Sequence, residues 1–142
     1  YEKELFAKSF IVSSDVAHGV NPNYSEWYEN NHKPHLGEGV VLKINANKRY
    51  TTNGYGMALI KKIANENHVP LQLFVVKNAA PCGSTIGPML AQRIGKALDL
   101  GNAVLSMHSI NETGHVDDLK HQIDLFKGFW ESYDILQNLV QL

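Results

Sequence analysis

Short apolar runs alternate with helical segments along this chain, and this alternation constrains the fold more than any other feature of the sequence. The β-branched runs over 9–14, 40–45 and 71–76 predict buried strands. Residues 103–110 predict either a fourth strand or a strand that continues into a loop. Helices are predicted over 54–67, 88–97 and 116–137. Strands that alternate with helices indicate an α/β fold with a largely parallel sheet.

The ends and buried faces of these helices can also be predicted. Asn53 is expected to cap the first helix, and Pro88 suits the first turn of the second. The first helix is predicted to bury an apolar face formed by Ala58, Leu59, Ile63 and Ala64. The last helix is predicted to bury residues that recur at three- and four-residue steps, namely Leu119, Ile123, Phe126, Trp130 and Tyr133.

Length and composition exclude several classes of protein. A chain of 142 residues is long enough to bury one core, so a single domain is expected. The net charge is −1 and basic residues never cluster beyond two neighbours, so nucleic acid is not an expected partner. No apolar run approaches the roughly 18 residues that cross a membrane. The single Cys82 fits a reducing compartment, and the absence of Met at Tyr1 suggests a fragment or a processed chain.

The sharpest local feature is a carboxylate and an imidazole that directly follow the first strand. Asp15 comes immediately after the apolar run, and His18 follows three residues later. A carboxylate at the end of a buried strand is costly unless it is paired or bound to a cation. The spacing leaves open the alternative that Asp15 forms an Asx-turn or caps the next element.

Three further residues are candidates for a site, each with an ordinary structural alternative. His108 lies in an apolar stretch, where it is either a zinc ligand or a hydrogen-bonded core residue. Lys43, in the second strand, is either a solvent-facing lysine or a cation that meets an acidic ligand. Tyr50, just beyond that strand, suits a packed aromatic residue. Asp15 and His108 both lie near predicted strand ends, where sites form in open α/β sheets.

Two other features are weaker. The Gly-rich loop "PCGSTIGP" either directs backbone N–H groups toward a ligand or simply joins a strand to a helix. Cys82 within it has no obvious catalytic partner and is predicted to be a buried, inert thiol. No HExxH, CxxC or HxH spacing indicates a self-contained zinc site.

The longer motifs resemble one family. The stretches occur in the order seen in aspartyl aminopeptidases: "SFIVSSDVAHGVNPNY", "ENNHKPHLGEGVVLKINANKRYTTN", "VPLQLFVVKNAAPCGSTIGPMLAQRIG", "LDLG" and "MHSINE", followed by "LFKGFWE". The resemblance covers nearly the whole chain and implies a zinc exopeptidase with a three-layer α/β/α fold. It also implies that residues 1–142 form the C-terminal portion of a catalytic domain, without the N-terminal portion and the inserted dimerisation domain.

The resemblance implies roles for individual residues. Asp15 matches a ligand of one of two zinc ions, close to the substrate amino group, and His108 matches a ligand of the other. His18, Lys43 and Tyr50 match substrate-contacting residues, with Lys43 facing the acidic side chain. The remaining ligands and the general-base Glu are expected upstream, so no catalytic base is assigned within this chain. Asn21 stands where many relatives carry a second His.

The resemblance further implies an aminopeptidase that removes N-terminal Asp or Glu from peptides with two zinc ions per complete site. A homo-oligomer is expected, of the large tetrahedral kind, in the cytoplasm or in a vacuole-like compartment. The isolated chain is expected to be inactive. The first alternative is an inactive assembly or scaffold protein that keeps the fold, and the second is a single-metal module that uses Asp15, His18 and His108.

Overall fold

The computed structural model describes residues 1–139. Its strands are β1 (Ile11–Ser14), β2 (Ala17–His18), β3 (Val40–Ile44), β4 (Leu71–Val75), β5 (Ala97–Gly101) and β6 (Ala103–Val104). Its helices are α1 (Glu2–Lys8), α2 (Gly54–Glu66), α3 (Gly87–Ile94) and α4 (Val116–Leu139), with a short 3-10 helix at Pro22–Trp27. Within the described residues, no helix is both long enough and apolar enough to cross a membrane.

The central sheet has the strand order β1-β5-β3-β4. β1 runs parallel to β5 and β4 runs parallel to β3, whereas β3 and β5 are antiparallel, with Leu42 opposite Leu100. β2 and β6 form a separate pair of short parallel strands that continue the chain beyond β1 and β5. The prediction of an α/β fold with a mostly parallel sheet is confirmed.

Side-chain alternation along the strands gives the sheet two different faces. Val40 and Leu42 of β3 point to one face and pack, together with Leu100, against α2 and α4 in the main core. Val41 points to the opposite face and joins a second apolar cluster. Helix α3 lies on that second face, because a Cβ on Gly87 would come within 2.7 Å of the Asp99 carboxylate. The sheet therefore lies between helices on both sides.

The most important departure from the predicted elements is β5. The sequence predicted a helix to residue 97 and a strand from residue 103, but residues 97–101 form a fully buried strand between β1 and β3. Gly95 adopts a positive φ of 81°, which ends α3 and allows the strand to begin two residues later. Of the predicted fourth strand only Ala103–Val104 forms a strand, Leu105 makes one isolated bridge to Thr113, and the rest forms the loop that the second alternative anticipated.

The buried face of α4 was wrongly assigned from its periodicity. Leu119, Ile123 and Trp130 are 56%, 57% and 81% exposed, so they do not belong to the core. The residues that α4 buries are displaced around the helix, at Leu125, Phe129 and Leu136, with Phe126 and Tyr133 partly buried beside them. Aromatic and aliphatic residues lie on both sides of this helix, so periodicity alone cannot identify the side that packs on α2.

Helix α2 agrees better with its prediction. The Asn53 side chain accepts a hydrogen bond from the Gly56 N–H at 2.8 Å, which confirms the N-cap. Leu59, Ile63 and Ala64 are buried as predicted, but Ala58 is exposed and Ile60 takes its place in the core.

Candidate functional site

The site begins where the chain leaves β1, beside the end of its neighbouring strand β5. The Asp15 N–H donates to the Leu100 carbonyl at 3.0 Å, and a Cβ on Gly101 would lie only 1.6 Å from the Asp15 carbonyl oxygen. Only glycine at position 101 therefore allows the Asp15 backbone to lie there. The chain then pairs with the segment beyond β5, through the Ala17 N–H and the Asn102 carbonyl at 2.8 Å. This path leaves the Asp15 side chain 59% exposed.

Lys43 lies beside Asp15 but is buried, with only 2% of its side chain exposed. Its Nζ is 3.7 Å from Asp15 Oδ2 and 5.6 Å from the centroid of the Tyr50 ring. Burial lowers the pKa of Lys43, and the nearby carboxylates of Asp15 and Asp99 oppose this shift. The alternative of a solvent-facing strand lysine is wrong, and the structure instead places an ammonium group at the base of the site.

His18 and Tyr50 line the same cavity as this ion pair. Burial lowers the pKa of His18, and the neighbouring His108 and Lys43 lower it further, which favours the neutral imidazole. Burial also raises the pKa of Tyr50, whose hydroxyl oxygen accepts a hydrogen bond from the Cys82 thiol at 3.4 Å. Tyr50 is therefore a neutral phenol. Cys82, predicted to be buried and inert, is half-buried and contacts a site residue.

His108 reaches the same place from a turn beyond β6. Its backbone adopts a positive φ of 69°, which is uncommon for a residue with a side chain. The carboxylate of Glu112 accepts the His108 N–H at 2.6 Å, and the Ser109 N–H closes the turn on the Ser106 carbonyl at 2.9 Å. These bonds stabilise the unusual backbone conformation that positions the His108 side chain.

The residues singled out from the sequence lie together around one cavity of about 320 Å³. Asp15, His18, Lys43, Tyr50 and His108 all line it. Glu112 and the loop over 83–85 complete the wall. The structure thus brings the candidates into one place, while the individual roles assigned to them stay predictions.

Sequence reasoning missed Asp99, the buried carboxylate in β5 beneath this cavity. Asp99 Oδ2 accepts hydrogen bonds from the Thr51 N–H at 2.6 Å and the Thr51 hydroxyl at 2.7 Å, and Oδ1 accepts one from the Thr85 hydroxyl at 2.6 Å. Asp99 therefore joins the loop that carries Tyr50 to the loop over 83–85. The one available signal was a single acidic residue within the apolar stretch "ALDLG".

The side chains of the cavity supply some, but not all, of the ligands that zinc takes. Asp15 supplies a carboxylate oxygen and His108 an imidazole nitrogen, both of which are ordinary zinc ligands, and both face the cavity. Over residues 1–139, no group of three or more His, Cys, Asp or Glu side chains lies close enough to hold a metal ion. Catalytic zinc commonly takes three protein ligands. The two residues therefore fit as partial contributors to a metal centre and do not form a complete one.

Comparison with known families gives one match that covers most of the chain. Residues 1–130 match the family model described as aminopeptidase I zinc metalloprotease (M18). Aspartyl aminopeptidase 4 of Saccharomyces cerevisiae is 60% identical over 136 residues, which cover 95% of this chain and 28% of that protein. The aspartyl aminopeptidase of Aspergillus oryzae is 51% identical over 138 residues, covering 92% of this chain and 28% of that protein.

Two solved structures resemble this chain both in fold and in sequence. A cryo-EM structure of the Ape4 and Nbr1 complex superposes with a TM-score of 0.95 at 47% identity, over 99% of this chain and 27% of the matched chain. The structure of the S. cerevisiae mApe1 dodecamer superposes with a TM-score of 0.85 at 34% identity, over 97% and 30% of the two chains. This chain thus spans less than a third of the length of each of these relatives.

Proposed function

The chain belongs to the aminopeptidase I zinc metalloprotease (M18) family, and from this premise we propose that it carries the substrate-recognition part of a site that removes N-terminal Asp or Glu from peptides. The relatives that bear the name aspartyl aminopeptidase support this substrate class. Within the chain, the proposal depends mainly on the buried ammonium of Lys43.

The position of Lys43 favours an acidic substrate side chain. A buried ammonium needs an anionic partner, and the partner here is Asp15 at 3.7 Å. If Asp15 ligates a metal ion, its charge is directed toward that ion, and Lys43 is left with a charge that only the carboxylate of Asp99, already hydrogen-bonded to Thr51 and Thr85, offsets. A substrate carboxylate that enters the cavity would satisfy it, whereas a neutral side chain would not.

We propose that Asp15 and His108 each hold one of two zinc ions. When bound, zinc supplies Lewis acidity toward the scissile carbonyl and lowers the pKa of a coordinated water. In this proposal Asp15 also meets the substrate amino group, and the neutral His18 and Tyr50 orient the substrate by hydrogen bonding. The remaining ligands and the general-base Glu are proposed to lie in the part of the relatives that this chain does not match. The isolated chain should accordingly be inactive.

The proposal extends to assembly and location. One structural relative is described as a dodecamer, which supports a homo-oligomer for the protein that carries this chain. The free thiol of Cys82 is consistent with a protein that is located in the reducing cytoplasm, and a vacuole-like compartment is the alternative. Light scattering on the purified full-length protein would measure the oligomeric state directly.

The function is tested by substituting Lys43 in the zinc-loaded, full-length protein. With Lys43→Ala, the ratio of kcat/KM for an Asp-linked over a Leu-linked chromogenic substrate should fall by about a hundredfold, because the acidic side chain loses its buried partner. Lys62→Ala is the matched control, since Lys62 is a half-exposed lysine of α2 that pairs with Glu66. That control should leave the ratio unchanged.

Two results would reject parts of this proposal. An equal loss on both substrates in Lys43→Ala would show that Lys43 is structural and that acidic recognition depends on other residues. A complete absence of turnover by the zinc-loaded, full-length protein on any peptide would favour the inactive scaffold.

A further inference from the structure

A second cavity, of about 280 Å³, adjoins the site and shares its wall at His18, Tyr50, Gly83 and Met107. The first cavity is charged, with Asp15 and Lys43 at its base. The second is walled largely by aromatic and aliphatic groups, and over residues 1–139 no Asp, Glu, Lys or Arg side chain lines it. Two adjoining spaces of opposite chemistry therefore meet at His18 and Tyr50.

The floor of the second cavity is made of buried aromatic rings. Tyr28 and Phe74 are 6% and 2% exposed, and their rings pack edge-to-face with centroids 5.9 Å apart. The Tyr28 hydroxyl donates to the Gly19 carbonyl at 2.9 Å, so its polar atom is already satisfied. An apolar group that enters can therefore contact this floor without displacing a hydrogen bond.

The rim of the cavity is open and aromatic. Tyr24 and Trp27, from the short 3-10 helix, are 51% and 47% exposed, and their rings contact each other at a tilt of 43°, with centroids 5.3 Å apart. The Asn21 side chain accepts the Asn23 N–H at 2.9 Å and caps the start of this helix. The aromatic rim is thus held by local structure and remains accessible from solvent.

We propose that this second cavity binds the apolar side chain of the second residue of the peptide substrate, with large aromatic and aliphatic side chains preferred. The inference depends on the proposed function, which places the N-terminal acidic residue at Lys43. Because nothing precedes an N-terminal residue, a peptide can extend from the charged cavity only through the residue that follows. The adjoining cavity offers that residue apolar contacts with Trp27 and Phe74.

The test compares peptides that differ in their second residue, with the zinc-loaded, full-length protein. The kcat/KM for Asp-Phe-Ala should exceed that for Asp-Ala-Ala by about tenfold, the usual range for a well-filled apolar pocket. Trp27→Ala should bring this ratio close to one, and Trp27→Phe should keep most of it. Trp130→Ala is the matched control, because Trp130 is 81% exposed on α4 and lines neither cavity.

Binding gives a readout that needs no turnover. Calorimetry with the metal-free protein should show tighter binding of Asp-Phe-Ala than of Asp-Ala-Ala, and Trp27→Ala should remove the difference. If both Asp peptides are cleaved and bound equally well by the unmodified protein, the cavity is not a subsite for the second residue, although the proposed function stands. If neither is cleaved but the binding difference persists, the proposed function fails and the assignment of the cavity is supported.

One outcome would assign the cavity to the first residue instead. If Trp27→Ala weakens hydrolysis of Phe-Ala-Ala but leaves the Asp-Phe-Ala to Asp-Ala-Ala ratio intact, the cavity receives a large N-terminal side chain. That result would overturn the proposal.

Discussion

The two faces of the central sheet share the same strands but differ in chemistry. On one face Leu42 and Leu100 are fully buried against α2 and α4, in a core built mainly from aliphatic and aromatic side chains. On the other face Lys43 and Asp99 are equally buried, at 2% and 0% exposure, among loops and α3. Adjacent residues of β3 and β5 therefore differ completely in what surrounds them.

This difference shows how the fold separates stability from recognition. Burial of apolar area stabilises the first face, at roughly 25 cal/mol per Å². On the second face, buried charges reduce that gain and are retained beside a cavity that Asp15 and His108 also line. Substitutions on the first face should thus lower stability without changing substrate preference, whereas substitutions on the second face should also change activity or substrate preference.

The largest effect is expected at Gly101, the last residue of β5, which packs against the backbone of Asp15 just beyond β1. In Gly101→Ala the new Cβ would lie 1.6 Å from the Asp15 carbonyl oxygen, so the backbone of β1 must move. We expect a loss of more than about 4 kcal/mol in the free energy of unfolding, measured by urea titration. Gly83→Ala is the control, because a Cβ on Gly83 would meet nothing within 4 Å. A small loss in Gly101→Ala would show that Asp15 can be displaced at little cost.

The next largest effect is expected for a substitution on the apolar face of the sheet, which packs against α2 and α4. Leu42→Ala removes a fully buried side chain and should lower the free energy of unfolding by about 3 kcal/mol, through lost transfer energy and a cavity. The selectivity for Asp over Leu substrates should stay the same in the folded protein, because the Leu42 side chain points away from the site. A change in selectivity would show that the two faces are coupled through the sheet.

Asp99 can be compared with a second buried carboxylate that holds a different loop. Asp99→Asn should cost about 2 kcal/mol in stability, because the amide cannot accept all the hydrogen bonds from Thr51 and Thr85. Asp118 is also fully buried and accepts the N–H groups of Gly37 and Gly39, at 2.7 and 2.9 Å. Asp118→Asn should therefore cost a similar amount.

The two substitutions should differ in their effect on activity. Asp99→Asn loosens the loops that carry Tyr50 and Thr85 to the cavity, so KM for an Asp substrate should rise severalfold. Asp118 lines neither cavity, so Asp118→Asn should leave KM unchanged. Equal kinetic effects of both would mean that Asp99 has no specific link to the site.

The α/β class, the cap at Asn53 and the set of candidate residues could all be predicted from the sequence. Local patterns carry these features, since strand runs, capping residues and family motifs are contiguous in the chain. Asp99 could not be predicted, because its partners Thr51 and Thr85 are 48 and 14 residues away. Strand β5 was missed for a related reason, since its extended conformation depends on β1 and β3 on either side.

The burial of Lys43 likewise could not be predicted from the sequence. From the alternation of β3, a lysine in this strand is most simply placed in solvent, and only the loops that cover this face make it buried. The periodicity of α4 failed similarly, because the packing of α2 decides which apolar side is covered. Contacts between distant segments determine both outcomes, and the sequence pattern of one element does not contain them.

The smallest stability effect and the clearest separation of the two faces are expected for Lys43→Met. Methionine has a similar length and fills the same space, while the buried ammonium and its desolvation are removed. Burial lowers the pKa of Lys43, so the folded state disfavours its charged form, and the loss of that charge should change the free energy of unfolding by less than about 1 kcal/mol. Asp15 is 59% exposed, so water can solvate its carboxylate once Lys43 is gone.

The same variant should lose its preference for acidic substrates, as is also expected of Lys43→Ala. A protein of unchanged urea midpoint that cleaves Asp and Leu substrates at similar rates would show that Lys43 serves recognition and contributes nothing to folding. A loss of more than about 2 kcal/mol would instead place Lys43 in a structural network with Asp15 and Asp99. In that case the face of the sheet that carries Lys43 and Asp99 would contribute to stability as well as to substrate recognition.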